Sequence, residues 1–125
     1  MARKKILIVE DEGDISDFLS EALQRSGYAV LIADNGIGAL QIADSEPIEL
    51  IITDIVMPKM NGFVFIEQLN KKSIDVPIIA VSGAYGDRLK HLATTMNLFA
   101  AFEKPFSVKD LLEKVDEAIG KKKAS

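Results

Sequence analysis

The sequence predicts an α/β fold in which a five-stranded parallel sheet is covered by helices on both faces, a doubly wound (βα)5 arrangement. Two observations lead to this prediction. Apolar runs of strand length alternate five times with segments whose apolar residues repeat at helical spacing. The apolar runs are continuous, which is typical of parallel strands buried on both faces, and the loops between the elements are short.

Each strand is predicted from an apolar run, and each helix from a periodic apolar face with a start or stop signal. The strands cover residues 5–9, 28–33, 50–54, 76–82 and 98–103. The helices cover about residues 15–23, 36–45, 63–71, 85–95 and 108–119. Gly27 suits the end of the first helix, and either Asp34 or Asn35 suits the start of the second. Ser107 and Asp110 open the last helix with the spacing of a capping box.

The composition indicates one domain that is long enough to bury a core. The chain has 125 residues, a hydrophobic content of 48%, a net charge of −4 and no cysteine. The acidic balance disfavours direct binding of nucleic acid, and the lack of cysteine excludes a disulfide framework or a cysteine metal site. With no signal-peptide pattern and no apolar stretch of membrane-spanning length, we expect a cytoplasmic protein without membrane insertion. Residues 1–125 are expected to form a single domain with a core of about 4–120, since little chain follows the last helix.

Polar side chains stand at the carboxyl ends of the predicted strands. Glu10 and Asp11 follow the first strand, Asp54 ends the third, Ser82 ends the fourth and Lys104 follows the fifth. Parallel strands point their carboxyl ends at one edge of the sheet, where open α/β folds bind ligands. We therefore expect these side chains to converge on one small site. Clustered carboxylates need a cation and the lysine suggests an anion, a pair of demands that a divalent metal and a phosphoryl group together meet.

The acidic cluster has a structural alternative, because acidic side chains also stabilise helix N-termini through the helix dipole. This alternative suits Glu12 and Asp14, which fall in the first turn of the first helix. It suits Asp54 poorly, because the residues after Asp54 do not begin a helix. Two carboxylates about 4 Å apart repel by roughly 4 kcal/mol at an effective dielectric constant of ~20, so a fold keeps such a cluster where a cation relieves it.

The motifs together resemble the receiver domain of the response regulators of two-component signalling. They are Glu10-Asp11, Asp54 within Thr53-Asp54-Ile55-Val56-Met57-Pro58-Lys59-Met60-Asn61-Gly62, Ser82-Gly83, and Lys104-Pro105-Phe106. They occur in the order and at the spacing of the family over essentially the whole chain, and the combination is highly specific. The resemblance implies the flavodoxin-like strand order 2-1-3-4-5 and a stand-alone, chemotaxis-regulator-like receiver without an output domain.

The resemblance also implies a role for each site residue. Asp54 would be the phosphoacceptor, a carboxylate nucleophile that forms an acyl phosphate. Ser82 and Lys104 would contact phosphoryl oxygens and complete the catalytic set. The implied ligands of Mg²⁺ are Asp11 and Asp54 directly, Glu10 through water, and the backbone carbonyl of Val56.

The implied function is transfer of a phosphoryl group to Asp54 from a histidine kinase or a histidine phosphotransfer protein, followed by signalling through contacts with a downstream protein target. Such a protein catalyses its own phosphorylation and dephosphorylation and is not an enzyme for other substrates. Two alternatives differ in class. The first is a phosphohydrolase of the haloacid-dehalogenase type, which needs a second Asp two residues after its nucleophile. This chain has Val56 at that position, which speaks strongly against this alternative. A scaffold would bind partners without phosphorylation.

Ala101 departs from the family pattern, which usually has Tyr or Phe three residues before the site lysine. Alanine has no side-chain rotamer to switch, and Phe102 should project to the opposite face of its strand. We therefore expect an atypical switch, read out through the loop after the fourth strand and through the fourth helix, where Gly83 and Gly86 permit backbone movement. The glycines suit ordinary turns equally well. Tyr85 is the aromatic residue near the site that suits the missing role, and it suits an ordinary surface position equally well.

Overall fold

A computed structural model describes residues 3–57 and 59–120 of the chain. Strands and helices alternate along it, beginning with a strand. The strands are β1 (Lys5–Val9), β2 (Ala29–Ala33), β3 (Ile48–Asp54), β4 (Ile78–Ser82) and β5 (Ala100–Glu103). The helices are α1 (Gly13–Arg25), α2 (Gly36–Ser45), α3 (Gly62–Lys71), α4 (Arg88–Thr95) and α5 (Val108–Ile119). Residues 1–2 and 121–125 of the predicted domain, and Pro58 of the central motif, lie outside the described residues.

The strands form one parallel sheet in the order β2-β1-β3-β4-β5, which confirms the predicted fold class and strand order. Strand β3 lies at the centre, between β1 and β4. Asp54 aligns with Val81, and Ser82 aligns with Glu103 on the next strand. This register brings the carboxyl ends of the central strands to one edge of the sheet, as the sequence predicts.

The sheet separates two hydrophobic cores, because successive residues of a strand point to opposite faces. Leu7 of β1 packs in the core beneath α2 and α3, whereas its neighbours Ile6 and Ile8 pack in the core beneath α1 and α5. All three side chains are fully buried. Full burial of one such aliphatic side chain contributes about 1.5–3 kcal/mol. Coverage of both faces explains why the strands read as continuous apolar runs.

Several predicted helix boundaries are confirmed by capping contacts. Asn35, one of the two expected caps, accepts a hydrogen bond from the backbone N–H of Gly38 at 3.0 Å and opens α2. Ser107 accepts from the backbone N–H of Asp110 at 3.3 Å and opens α5. Gly27 follows α1 with φ of 96°, a left-handed conformation that glycine adopts without strain.

The predicted start of the fourth helix at residue 85 is wrong, because α4 begins at Arg88. Tyr85 and Gly86 have φ of 74° and 48°, which lie outside the right-handed helical region. The loop between β4 and α4 therefore runs from residue 83 to residue 87. Helical periodicity misses this loop because the spacing of apolar residues does not report the sign of φ.

Candidate functional site

Three polar side chains lie buried where central strands reach the carboxyl edge of the sheet. Glu10 directly follows β1 and is 2% exposed, Asp54 ends β3 and is 4% exposed, and Ser82 ends β4 and is 0% exposed. The three strands are neighbours in the sheet, so these side chains share one region. Burial of an ionised carboxylate is costly unless it has charged or hydrogen-bonding partners. The stability of this buried region therefore depends on the groups that face the two carboxylates.

Lys104 supplies a positive charge between the two buried carboxylates. Its Nζ donates hydrogen bonds to Oε1 of Glu10 and to Oδ2 of Asp54, each at 2.9 Å. The backbone N–H of Lys104 donates to the carbonyl oxygen of Ser82 at 2.8 Å, and the following peptide bond to Pro105 is cis. Charge-assisted hydrogen bonds of this length are stronger than neutral ones. One ammonium group thus donates hydrogen bonds to two buried carboxylates.

These contacts shift the pKa of two members of the group. Burial raises the pKa of Glu10; the hydrogen bond from Lys104 opposes this effect, and the charge of Asp54 adds to it. Burial on its own would lower the pKa of Lys104, but the hydrogen bonds and charges of Asp54 and Glu10 outweigh burial and raise it. Lys104 therefore keeps its positive charge, and the ionised form of Glu10 is disfavoured.

A further carboxylate, that of Glu12, reaches the same region. Oxygens of Glu10, Glu12 and Asp54 lie within 4.8 Å of one another, and Oε1 of Glu12 lies 3.9 Å from Nζ of Lys104. Glu12 is the N-cap residue of α1, where the sequence places it, but the sequence prediction misses its approach to the site. Its backbone N–H also donates to Oε2 of Glu10 at 3.2 Å. The apolar pattern carries no signal for this approach, which depends on the path of the backbone between β1 and α1.

Asp11 lies at the same edge, although it is not one of the three closely grouped carboxylates. It is exposed and lines a cavity of about 410 Å³. The other lining residues are Glu12, Asp54, Val56, Gly83, Ala84 and Lys104. Carboxylate oxygens are the ligands that hard divalent cations prefer, so this donor set fits such an ion. Glu12 therefore lies beside the predicted ligands Glu10 and Asp54, and the predicted ligand Asp11 lines the cavity.

The chain after Asp54 turns sharply and orients the carboxylate. The backbone N–H of Val56 donates to Oδ1 of Asp54 at 3.1 Å, so both carboxylate oxygens have donors. The N–H of Gly62 donates to the carbonyl of Ile55 at 2.8 Å, which closes the loop back onto the end of β3. A Cβ on Gly62 would lie 2.7 Å from the carbonyl oxygen of Asp54, so this approach requires glycine. The predicted metal contact of the Val56 carbonyl stays a prediction.

Ser82 connects the site to the loop before α4. Its Oγ accepts a hydrogen bond from the backbone N–H of Ala84 at 3.0 Å. Movement of the Ser82 hydroxyl would therefore affect the backbone of the following loop.

On the neighbouring strand, the Oγ1 of Thr53 donates to the carbonyl oxygen of Asp54 at 2.8 Å, which satisfies a buried hydroxyl.

Ala101 and Phe102 lie on opposite faces of β5, as strand alternation predicts. Ala101 packs against the core that contains Phe63 at its margin, whereas Phe102 packs against the core beneath α1 and α5. The ring of Phe63 contacts the ring of Tyr85 edge to face, with centroids 5.6 Å apart. The aromatic contact on the α3 and α4 side of the sheet therefore comes from the loop before α4 and not from β5.

The architecture places the chain in the class of flavodoxin-like α/β domains. Residues 6–116 match the family model described as "Response regulator receiver domain", and the chain belongs to that family. It is 32% identical over 116 residues to "Response regulator receiver protein CpdR" of Brucella abortus (strain 2308), covering 93% of this chain and 97% of that protein. It is 34% identical to "Alkaline phosphatase synthesis transcriptional regulatory protein PhoP" of Bacillus subtilis (strain 168), covering 90% of this chain and 47% of PhoP. The chain thus spans about half the length of that transcriptional regulator.

Solved structures support the same fold. The chemotaxis protein CheY4 of Vibrio cholerae superposes with a TM-score of 0.84 at 29% identity, covering 94% of this chain and 99% of CheY4. The receiver domain of the Francisella response regulator 1452 gives a TM-score of 0.89 at 24% identity, covering 95% and 98%, and supports the fold alone. Within the part of the chain that the structure describes, no helix combines the length and apolar character of a bilayer crossing.

Proposed function

We propose that the chain is a phosphoacceptor response regulator in a two-component phosphorelay, in which Asp54 receives a phosphoryl group from a histidine kinase or a histidine phosphotransfer protein. The observation that carries this proposal is the position of Lys104, whose Nζ lies 2.9 Å from carboxylate oxygens of both Asp54 and Glu10. Membership of the receiver family supports it. A carboxylate held beside an ammonium group suits a reaction that brings three further phosphoryl oxygens to the site.

The proposed step is an in-line displacement at phosphorus. An oxygen of Asp54 forms the new P–O bond while the P–N bond to the donor histidine breaks, and the imidazole nitrogen takes the electron pair. Lys104 and the Ser82 hydroxyl donate hydrogen bonds to the phosphoryl oxygens, where charge accumulates. The contact from the Val56 N–H fixes the carboxylate, so catalysis depends on position and charge. Dephosphorylation transfers the same group from Asp54 to water.

Magnesium is the proposed metal of this site. The proposed protein ligands are Asp11 and Asp54 directly, Glu10 through water, and the carbonyl of Val56. The grouping of Glu10, Glu12 and Asp54 oxygens within 4.8 Å supports an oxygen-preferring cation there. When bound, the ion supplies positive charge against the phosphoryl oxygens. Glu12 would add negative charge to this site without being one of the predicted ligands.

The proposed output is contact with a downstream protein target, with no direct binding of nucleic acid. The chain matches 97% of CpdR, a relative named as a response regulator receiver protein, which supports a receiver function. The loop between β4 and α4 is the proposed readout, since Ala101 removes the usual aromatic of β5. The cytoplasmic location stays a prediction.

Ala101 also favours a second candidate function, a scaffold that binds its partner without phosphorylation. Alanine at this position has no rotamer with which to report the state of Asp54. The two functions differ in their dependence on Asp54. If binding to the partner and signalling persist in Asp54→Ala at the wild-type level, the scaffold is the better description.

Intact-mass analysis after incubation with acetyl phosphate tests the phosphoacceptor function. We expect one phosphoryl adduct in the presence of magnesium, little without it, and none in Asp54→Ala. Asp75→Ala is the matched control, because Asp75 is an exposed carboxylate before β4, at the opposite edge of the sheet, and should leave the adduct unchanged. A folded wild-type protein that forms no adduct from acetyl phosphate or from a phosphorylated histidine donor would contradict the proposal.

A further inference from the structure

Tyr85 combines an unfavourable backbone with a favourable ring contact. Its φ of 74° lies in the left-handed region, which is uncommon for a residue with a large side chain. Its ring meets that of Phe63 at a centroid distance of 5.6 Å and an interplanar angle of 70°, the edge-to-face geometry that aromatic pairs prefer. The cost of such a backbone and the gain from such a ring pair are of comparable size. The loop is therefore held in a conformation that it can leave at little cost.

Phe63 is attached to the phosphoacceptor side of the site. It follows Gly62, whose N–H donates to the carbonyl of Ile55 at 2.8 Å. The backbone at Gly62 packs so closely on the end of β3 that an added Cβ would lie 2.7 Å from the carbonyl oxygen of Asp54. Phe63 also packs against the core at the margin of the sheet. The backbone that carries the Phe63 ring is therefore held close to Asp54.

Tyr85 is attached to the hydroxyl side of the site. It lies three residues after Ser82, and the intervening Ala84 donates its backbone N–H to Oγ of Ser82 at 3.0 Å. Beyond Tyr85, the N–H of Arg88 donates to the Tyr85 carbonyl at 2.9 Å and begins α4. The ring pair, meaning Tyr85 and Phe63, thus bridges the segment packed on the end of β3 and the loop that follows Ser82.

The face of the sheet on which the ring pair lies has alanine where β5 would otherwise present a large side chain. Ala101 packs on the same core as Phe63, whereas Phe102 projects to the opposite core. On this face, the ring that contacts Phe63 comes from the loop before α4, at Tyr85. Only Gly83 and Ala84 separate Tyr85 from Ser82 along the chain.

We propose that the ring pair of Tyr85 and Phe63 is the conformational switch of this receiver, closed while Asp54 is free and open when Asp54 is phosphorylated. The inference rests on the proposed phosphorylation of Asp54. A phosphoryl oxygen that accepts the Ser82 hydroxyl hydrogen draws Oγ towards Asp54, and the Ala84 N–H follows. The Tyr85 ring then leaves Phe63, its backbone relaxes, and the first turn of α4 moves with it.

Proton NMR of the aromatic rings tests this switch, with the phosphorylated fraction measured by intact mass in the same sample. The chain has two tyrosines, so Tyr85→Phe assigns their signals. Phe63→Leu removes the ring current that acts on Tyr85 and gives the reference for the open pair. Tyr28 is the internal control, because it is 2% exposed and lies in the opposite core. With magnesium and acetyl phosphate, the Tyr85 signals are expected to move to their positions in Phe63→Leu, while those of Tyr28 stay in place.

A double-mutant cycle with Tyr85→Leu and Phe63→Leu provides a second measurement, by urea unfolding of both forms. The coupling between the two rings is expected to change the unfolding equilibrium constant about two- to tenfold in the unphosphorylated protein and to vanish in the phosphorylated protein. An adduct with unmoved Tyr85 signals, or with an unchanged coupling, would overturn the switch and leave the phosphoacceptor function intact. A folded protein that forms no adduct would overturn both.

Discussion

Nζ of Lys104 lies 2.9 Å from Oδ2 of Asp54, although the two residues are fifty positions apart in the sequence. The same Nζ lies 2.9 Å from Oε1 of Glu10, and Glu12 is 3.9 Å away. One positive charge therefore faces three carboxylates. The excess of negative charge determines how the domain should respond to neutralisation of a carboxylate, to added cations and to pH.

Replacement of Asp54 by Asn should stabilise the metal-free protein. Asp54 is almost fully buried and shares its lysine with Glu10, so the attraction to Lys104 offsets only part of the repulsion and desolvation. The amide keeps the shape of the side chain, and its single oxygen can accept from Lys104, but its NH2 group then faces the Val56 N–H, which offsets part of the gain. We expect a gain of about 1 kcal/mol in the free energy of unfolding, measured by urea denaturation in the presence of a chelator. Asp75→Asn is the exposed control, and an Asp54→Asn protein that is less stable would show that the attraction to Lys104 prevails.

Added magnesium should raise the melting temperature of the wild-type protein. A ligand that binds the folded state alone stabilises it by about 2.7 kcal/mol at a concentration of one hundred times its Kd. The shift should be smaller in Asp54→Asn, which lacks one carboxylate of the site. Thermal unfolding with magnesium, and with potassium chloride at equal ionic strength, separates binding from screening. Equal shifts with the two salts would mean that the carboxylates form no specific site.

The pH dependence of stability should report Glu10. Its pKa is raised in the folded state, mainly by burial, so between its unfolded value of 4.5 and the raised value the folded protein binds more protons than the unfolded one. The contribution of Glu10 to the free energy of unfolding therefore falls as the pH rises through that window. Glu10→Gln should be more stable than wild type at neutral pH and equal to it below the unfolded pKa. Urea unfolding from pH 4 to 8 measures the difference, and a constant difference would contradict the assignment to Glu10.

Much of this site is predictable from the sequence because the fold class and the strand ends suffice to bring distant residues together. Once five parallel strands are predicted, Glu10, Asp54, Ser82 and Lys104 must lie at one edge. Alternation along β5 likewise places Ala101 and Phe102 on opposite faces. These predictions need only the two-residue alternation along a strand and the common direction of the parallel strands. Both can be inferred from the apolar pattern.

The remaining features depend on side-chain reach and on the sign of φ, which the apolar pattern does not carry. Glu12 is predicted as a helix N-terminal charge, and its approach to Lys104 follows from the path of the backbone between β1 and α1. Tyr85 falls within a helical period, yet its left-handed φ delays α4 to Arg88. The contact between Tyr85 and Phe63 joins the loop before α4 to the first turn of α3, two segments whose relative position is set by the whole sheet.

Gly62→Ala should destabilise the domain and slow phosphorylation. The added Cβ would lie 2.7 Å from both the carbonyl oxygen of Asp54 and Cα of Ile55, which are backbone atoms that cannot rotate away. Overpacking of this kind costs about 1–3 kcal/mol, and relief of the clash would displace Asp54. The phosphorylation rate with acetyl phosphate and the free energy of unfolding measure the two effects.

Gly13→Ala is the matched control for Gly62→Ala, because a Cβ at Gly13 meets nothing within 4 Å at the start of α1. It should leave the phosphorylation rate unchanged and should not lower stability. If the two alanine variants behave alike, the close approach at Gly62 does not position Asp54.

Tyr28→Phe should remove part of the alkaline sensitivity of the fold. Burial raises the pKa of Tyr28 above its ordinary value of 10.0, and the hydrogen bond to Asp116 and the charge of Asp116 add to the effect. As the pH rises above 10, the unfolded protein loses the tyrosine proton before the folded protein does, so stability falls until the raised pKa is passed. Near neutral pH the variant should lose about 1 kcal/mol with the hydrogen bond, but its stability should fall less steeply above pH 10 than that of wild type. Urea unfolding between pH 8 and 11 measures how steeply the free energy of unfolding falls with pH. Tyr85→Phe is the matched control, because it also loses one tyrosine hydroxyl. Equal slopes for Tyr28→Phe and wild type would contradict the role of Tyr28.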